Sequence, residues 1–209
     1  MVKIFDNNQD YINCYTALDI NSGGVICTSY LPSAFFQKDV IDYYFSKKEP
    51  LNTHHQAADD LWDYGKKVIK GVKTGSIQLC IELEGITNFI EKGIVHQASQ
   101  NFEVSFPTRL HVLEQLLVVA DKIVVSNEPL PYVFRLVPNS IILIDVRFNR
   151  SSQLIQGMLI DDLPAYQSFA LEFDRIKSMC MENNKEGFEK QIKSAISQLK
   201  NGQNYKWKR

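Results

Sequence analysis

At 209 residues the chain suits one domain, or one domain with an appendage, and folding at that size removes about 70% of the unfolded surface from water. Its composition, 44% hydrophobic and 22% charged, excludes the disordered and fibrous classes. A formal net charge of −1 sets up no global field toward nucleic acid or an anionic membrane, so any such contact must come from a local patch.

The chain opens without the apolar core of a signal peptide, and no run approaches the ~18 apolar residues of a membrane span. The expectation is a cytoplasmic protein with no membrane contact. Tyr11 to Asp19 reads as a strand and Val25 to Tyr30 as another, with Asn21-Ser22-Gly23-Gly24 as a hairpin turn between them. Pro32 and Ser33 then open a helix whose face holds Phe36, Val40, Ile41, Tyr44 and Phe45, ended by Glu49-Pro50. Thr53 and Gln56 form a capping box for the next helix, which turns Ala58, Leu61, Trp62, Gly65 and Ile69 inward and closes at Gly71 and Gly75.

Ile77, Leu79, Ile81 and Leu83 alternate with Gln78, Cys80, Glu82 and Glu84, the period of a half-buried strand. A short helix around Ile86, Phe89 and Ile90 stops at Gly93. Pro107 and Thr108 start another, with Leu110, Leu113, Leu117 and Ala120 inward. Strands follow at Lys122–Ser126, Tyr132–Val137, Ser140–Arg147 and Leu154–Ile160, the middle pair joined by a tight Pro138-Asn139 turn. Asp162 caps a helix with Pro164 in its first turn and Tyr166, Phe169, Ala170, Phe173, Ile176 and Cys180 on its buried side. A last helix begins near Asn183 or Asn184, with Phe188, Ile192, Ile196 and Leu199 on one face, and Gly202 ends it. The sum is an α+β fold, one mainly antiparallel or mixed sheet with helices packed on it. A single domain spans 1–182, with N-terminal strands and helices over 1–76 and the remaining sheet and helices over 77–182. Residues 183–209 supply a C-terminal helix and a basic tail.

The stretches EGITNFIEKG (84–93), FPTRLHVLEQLL (106–117), PYVFRLVPNSIILID (131–145) and LIDDLPAYQSFALEFDRI (159–176) resemble a half-domain of the phospholipase D-like superfamily. They are similar, too, to the effector domains of some prokaryotic helix-turn-helix transcription regulators. The resemblance covers about half the chain, from about residue 77 to 182, as an order of elements more than an exact motif. The superfamily's site is H-x-K-x4-D, in which the histidine attacks phosphorus and the lysine neutralises phosphate charge. Laid on that template, Asp145 takes the aspartate position, while Pro138 and Ser140 stand where the histidine and lysine belong. Proline has no nucleophile and serine no positive charge, so covalent phosphoryl transfer of that kind cannot run. The resemblance therefore implies the fold without the chemistry: a ligand-sensing or protein-interaction domain, regulatory in role, acting as a homodimer with a small-molecule or protein partner and without a cofactor.

Two other function classes stay open. A hydrolase of phosphorylated or nucleotide substrates would draw on Asp145, on Asp161 or on the pair His54 and His55. The histidines open a helix with Asp59 four residues beyond His55, a spacing that can share a metal. Two ligands do not make a site, and the helix N-terminus repels a cation, so no metal is expected. Asp161 and Asp162 sit where acids offset a helix dipole. A nucleic-acid-associated protein would use Lys206, Trp207, Lys208 and Arg209 with Tyr205, a basic and aromatic mixture that suits single strands. The simpler reading of so short a tail is disorder. Lys66, Lys67, Lys70 and Lys73 read as a solvated helix face, and no helix pair has the form of a helix-turn-helix. The four widely spaced cysteines suit neither a zinc knuckle nor a disulfide framework, and Cys80 and Cys180 read as reduced, packed thiols.

Overall fold

The computed structural model describes residues 1–5, 8–18, 20, 23–29, 31–46, 54–96, 101–130, 132–138, 141–147, 154–180 and 185–207. Its centre is β3 (Ile77–Glu82), which is parallel to β2 (Gly24–Thr28) on one side and to β6 (Val124–Ser126) on the other. Beyond β2 the sheet turns antiparallel, through β7 (Val133–Val137), β8 (Ile141–Arg147) and β9 (Leu154–Asp161) to β1 (Val2–Phe5) at the edge. The order of this seven-stranded sheet is thus β1-β9-β8-β7-β2-β3-β6, and β4 (Ile94–His96) and β5 (Asn101–Glu103) form a separate hairpin. The fold is α+β, with a mixed sheet.

Side chains alternate across the sheet, so each strand feeds two cores. One face meets α1 (Asn8–Ala17), the turn Ser33–Phe35, α2 (Lys38–Ser46), α3 (His54–Thr74), α4 (Leu83–Lys92) and α5 (Phe106–Val118), with α7 (Lys185–Lys200) packed on α5. The opposite face meets α6 (Leu163–Cys180), whose Phe173 and Ile176 bury against Phe134, Leu136, Ile142 and Ile144. No helix among the described residues is long and apolar enough to cross a membrane.

The strands placed at 132–137, 140–147 and 154–160 form within a residue or two of those bounds, and Asp162 caps α6 by accepting from the Ala165 N–H at 2.8 Å. Four expectations are overturned. Tyr11 to Ala17 is helical, not extended: Tyr11, Ile12 and Tyr15 fall three and four apart on one face and bury together, which outweighs the β preference of aromatic and branched residues. Gly23-Gly24 accordingly joins a helix to β2 and makes no hairpin. The helix expected from Pro32 is broken in two, because Phe36 takes an extended conformation (φ −89°, ψ 154°) and carries its ring into the core between the short turn and α2. Finally, β3 is buried on both faces from Leu79 onward, because α6 covers Cys80 and the loop at Leu130 covers Glu82 on the side that the alternation assigned to solvent.

Other readings shift by a few residues. The buried face of α5 holds Arg109, Val112, Leu113 and Leu116, with Leu110 and Leu117 half-buried. Thr53, Glu49-Pro50, Asn139, Ser140 and Asn183-Asn184 lie outside the described residues, as do the side chains of Tyr44 and Phe45; Gln56 donates to Asp60 at 2.8 Å.

The C-terminal tail is ordered through Trp207, against the expectation of disorder. Tyr205 is 3% exposed, and its hydroxyl donates to Gln191 at 3.1 Å; the Trp207 ring packs on Phe188, and the Trp207 backbone N–H donates to the Glu91 carboxylate at 2.9 Å. The Asn204 side chain accepts from Arg109, a buried guanidinium that also donates to the Val104 carbonyl. Two aromatic rings with apolar ground to cover supply what a purely basic tail would lack.

Two mutations test this packing by denaturant titration. Phe173→Ala empties a site that is 2% exposed and is expected to cost about 3–5 kcal/mol. Tyr205→Ala is expected to cost about 3 kcal/mol, whereas a loose tail would lose almost nothing.

Candidate functional site

Asp145 lies near the end of β8, on the face covered by α1 and α3, and is only 7% exposed. A carboxylate taken out of water needs charge and hydrogen bonds to replace hydration. The sheet register supplies the charge. Val133 stands opposite Asp145, and Arg135, two residues on, is its diagonal neighbour on the same face, within reach of a long side chain. Arg135 Nη1 lies 3.2 Å from Asp145 Oδ1 and 3.2 Å from the Tyr11 hydroxyl, which itself donates to Asp145 Oδ1.

Aromatic rings enclose this pair. The guanidinium stacks 4.5 Å from the centre of the Tyr15 ring, and Tyr15 meets Tyr11 and Tyr64 edge-on. Burial pushes the Tyr64 phenol above its usual range, against the opposing pull of Arg135, so it stays protonated. Tyr11 also dictates Gly157: a Cβ there would stand 2.3 Å from the tyrosine ring, so only glycine lets α1 lie this close to β9. Beside Arg135 a pocket lined by Ile20, Gly24, Tyr64, Val137 and their neighbours has room for about one water molecule.

The other expected site residues do not join Asp145. Gly157 is its partner on β9, and Asp161 lies four residues further along, about 14 Å away at strand spacing. Asp161 is exposed, and its backbone exchanges two hydrogen bonds with Met1. His54 and His55 open α3, and their side chains lie outside the described residues. Lys206 is exposed, Trp207 is half-buried, and Lys208 and Arg209 lie outside the described residues. No group of three His, Cys, Asp or Glu side chains among the described residues is placed to hold a metal. Pro138 follows β7 in the turn, at the opposite end of β8 from Asp145.

Several buried polar groups had no motif to announce them. Glu82 and Ser126 face each other at the carboxyl ends of β3 and β6, where open α/β sheets often hold ligands. Here they organise a loop: Glu82 accepts from the Leu130 N–H at 3.1 Å, and the Ser126 hydroxyl donates to the Glu128 carbonyl at 2.7 Å. Cys27 and Cys80 stand directly opposite on β2 and β3, and their thiols share a hydrogen bond. Burial pushes the Cys27 thiol far up and raises Cys180 as well, so these are protonated, packed sulfurs and not nucleophiles. Arg135 and Glu82 were legible only as members of alternating strands; what marks them is that a charge sits in a run otherwise made for burial.

The Arg135–Asp145–Tyr11 cluster makes a stability prediction. Arg135→Met or Asp145→Leu alone strands a buried partner and is expected to cost about 3–5 kcal/mol. Arg135→Met, Asp145→Leu and Tyr11→Phe together should sit closer to the wild type than either single change, as read by urea titration; strict additivity would mean the three side chains do not act as a unit. The chain matches no protein-family model, no curated protein and no solved structure at a significant level.

Proposed function

We propose that this chain is a non-catalytic ligand-sensing or protein-interaction domain, regulatory in the manner of the effector domains it resembles, and that it works as a homodimer. The observation that carries the reading is the use made of Asp145. It is the one residue kept from the phosphodiesterase template, and its carboxylate is closed into a pair with Arg135 and Tyr11, facing rings in place of an open cleft. Pro138 and Ser140 supply neither nucleophile nor cation. A carboxylate held this way orients a guanidinium and a phenol, and has no base or attacking group to assist.

The hydrolase alternative is weakened where Asp145 and Asp161, two of the groups it would draw on, stand about 14 Å apart along the sheet. The alternative of a nucleic-acid-gripping tail is weakened where Tyr205, one of its two rings, is packed under α7 and not offered to a base.

Purified protein incubated with a generic phosphodiester is expected to show no turnover above buffer. Steady hydrolysis that follows the protein through purification and is lost in Asp145→Asn would overturn the reading. In a thermal-shift panel of phosphorylated metabolites and nucleotides, a true ligand at a hundredfold excess over its dissociation constant adds about 2.7 kcal/mol, or about 5–10 °C at this chain length.

A further inference from the structure

The longest helix, α3, carries a stripe of charge that its own core does not explain. Gln56, Asp59, Asp63, Lys66, Lys70 and Lys73 recur at alternating spacings of three and four, so all six fall on one side of the helix, and all six are exposed. The acids occupy the first half of the stripe and the lysines the second. Its charges invert about a point between Tyr64 and Gly65: Asp63 mirrors Lys66 and Asp59 mirrors Lys70, with the neutral Gln56 standing opposite Lys73.

We infer that α3 is a homodimer surface, on which a second copy of this chain lays its own α3 antiparallel across the first. A two-fold contact requires a patch that complements itself, so that if one residue meets another, the second meets the first across the axis. A helix acidic in one half and basic in the other has that property only in the antiparallel arrangement. There, three-four spacing brings Asp63 against Lys66 of the partner subunit, Asp59 against Lys70 of the partner subunit, and Gln56 against Lys73 of the partner subunit, each pair twice. The macrodipole alone favours acids near the start of a helix and cations near its end, within the first and last turns. Asp63 and Lys66 lie mid-helix, where that explanation does not reach.

The charges are available for such a contact. Asp59 is bridged to Lys38 and Asp63 to Lys66 within the chain, yet the Asp59, Asp63 and Lys66 side chains remain 52%, 63% and 57% exposed. Lys70 and Lys73 meet no acidic group among the described residues. A seam of about 26 Å made of exposed ion pairs is smaller than the interface of an obligate dimer, so the association is weak and governed by salt.

This inference rests on the reading of the chain as a homodimer, and the test separates the two. Sedimentation velocity of the full chain is run over a concentration series at about 0.01 M and about 1 M salt, between which the screening length falls from about 30 Å to about 3 Å. Two variants accompany it, one with Asp59→Lys and Asp63→Lys, the other with Lys66→Glu and Lys70→Glu. The wild type is expected to dimerise at low salt and to dissociate at high salt. Each variant alone should raise the dissociation constant by about tenfold or more, since the mirrored Asp–Lys pairs become like-charged. Mixing the two variants should restore a dimer at least as tight as the wild type. The bridges within each chain are not restored by mixing, so that rescue belongs to the contact between chains. A wild type monomeric at both salts overturns both the dimer reading and the surface. A dimer indifferent to salt, or variants that dimerise as the wild type does, keeps the dimer and overturns α3 as its seat, as does failure of the mixture to recover. If a variant loses its helical signal, Asp63→Asn and Lys66→Gln take its place, each expected to weaken low-salt dimerisation.

Discussion

The burial of one charge organises this molecule. Asp145 stands near a strand end under two helices, where an isolated carboxylate would be too costly to keep ionised, and the fold answers with one cation and one phenol in fixed register. Arg135 can reach it because β7 and β8 pair with Val133 opposite Asp145. Tyr11 can reach it because α1 lies close on β9, which requires Gly157. Three elements, the distant α1 and the neighbouring β7 and β8, thus meet at one oxygen atom, and a shift of one residue in either strand would turn one of the partners to the other face. Such clusters are weak evidence for stability and stronger evidence for a single register.

Much of the architecture was legible in the pattern of residues, and the losses have identifiable causes. The strands of the antiparallel half read well, since their alternation survives in Phe134, Leu136, Ile142 and Ile144 facing α6. Helix α6 was legible from Asp162 and Pro164, whose roles are local. Tyr11 to Ala17 misled because Tyr11, Ile12, Tyr15 and Thr16 favour strands one by one, and only the distant Asp145 and Gly157 reveal why a helix is needed there. The double burial of β3 was hidden for a similar reason: Gln78 is exposed as its polarity suggests, while Glu82 on the same side is buried beside a loop that no periodicity describes.

The site was legible only to a degree. Asp145 stood out, but as the remnant of a motif; its partner Arg135 lay inside the same strand pair and carried no signal of its own, since an arginine in an alternating strand looks like a solvent-facing residue. Asp162 was legible as a helix cap, a role that needs only its neighbours. The tail misled because its charges dominate its sequence and its rings do not: Tyr205 and Trp207 find Phe188, Gln191 and Glu91 only after α7 has folded back on α5.

The pairing of β1 with β9 has a consequence for how the chain reaches this state. Val2 pairs with Ile160 and Phe5 with Gly157, so β1 has no partner in the sheet until β9, about 150 residues further along, has been made. Closing so long a loop is slow, and until it closes an apolar strand end and the Tyr11 face of α1 remain uncovered. The parallel centre of the sheet, from β2 through β6, is complete well before β9 emerges. Synthesis from one end therefore places the N-terminal strand late, against a surface assembled without it. Lys3, the charged residue in the middle of that edge strand, is the kind of side chain that keeps a waiting edge from pairing with the wrong neighbour.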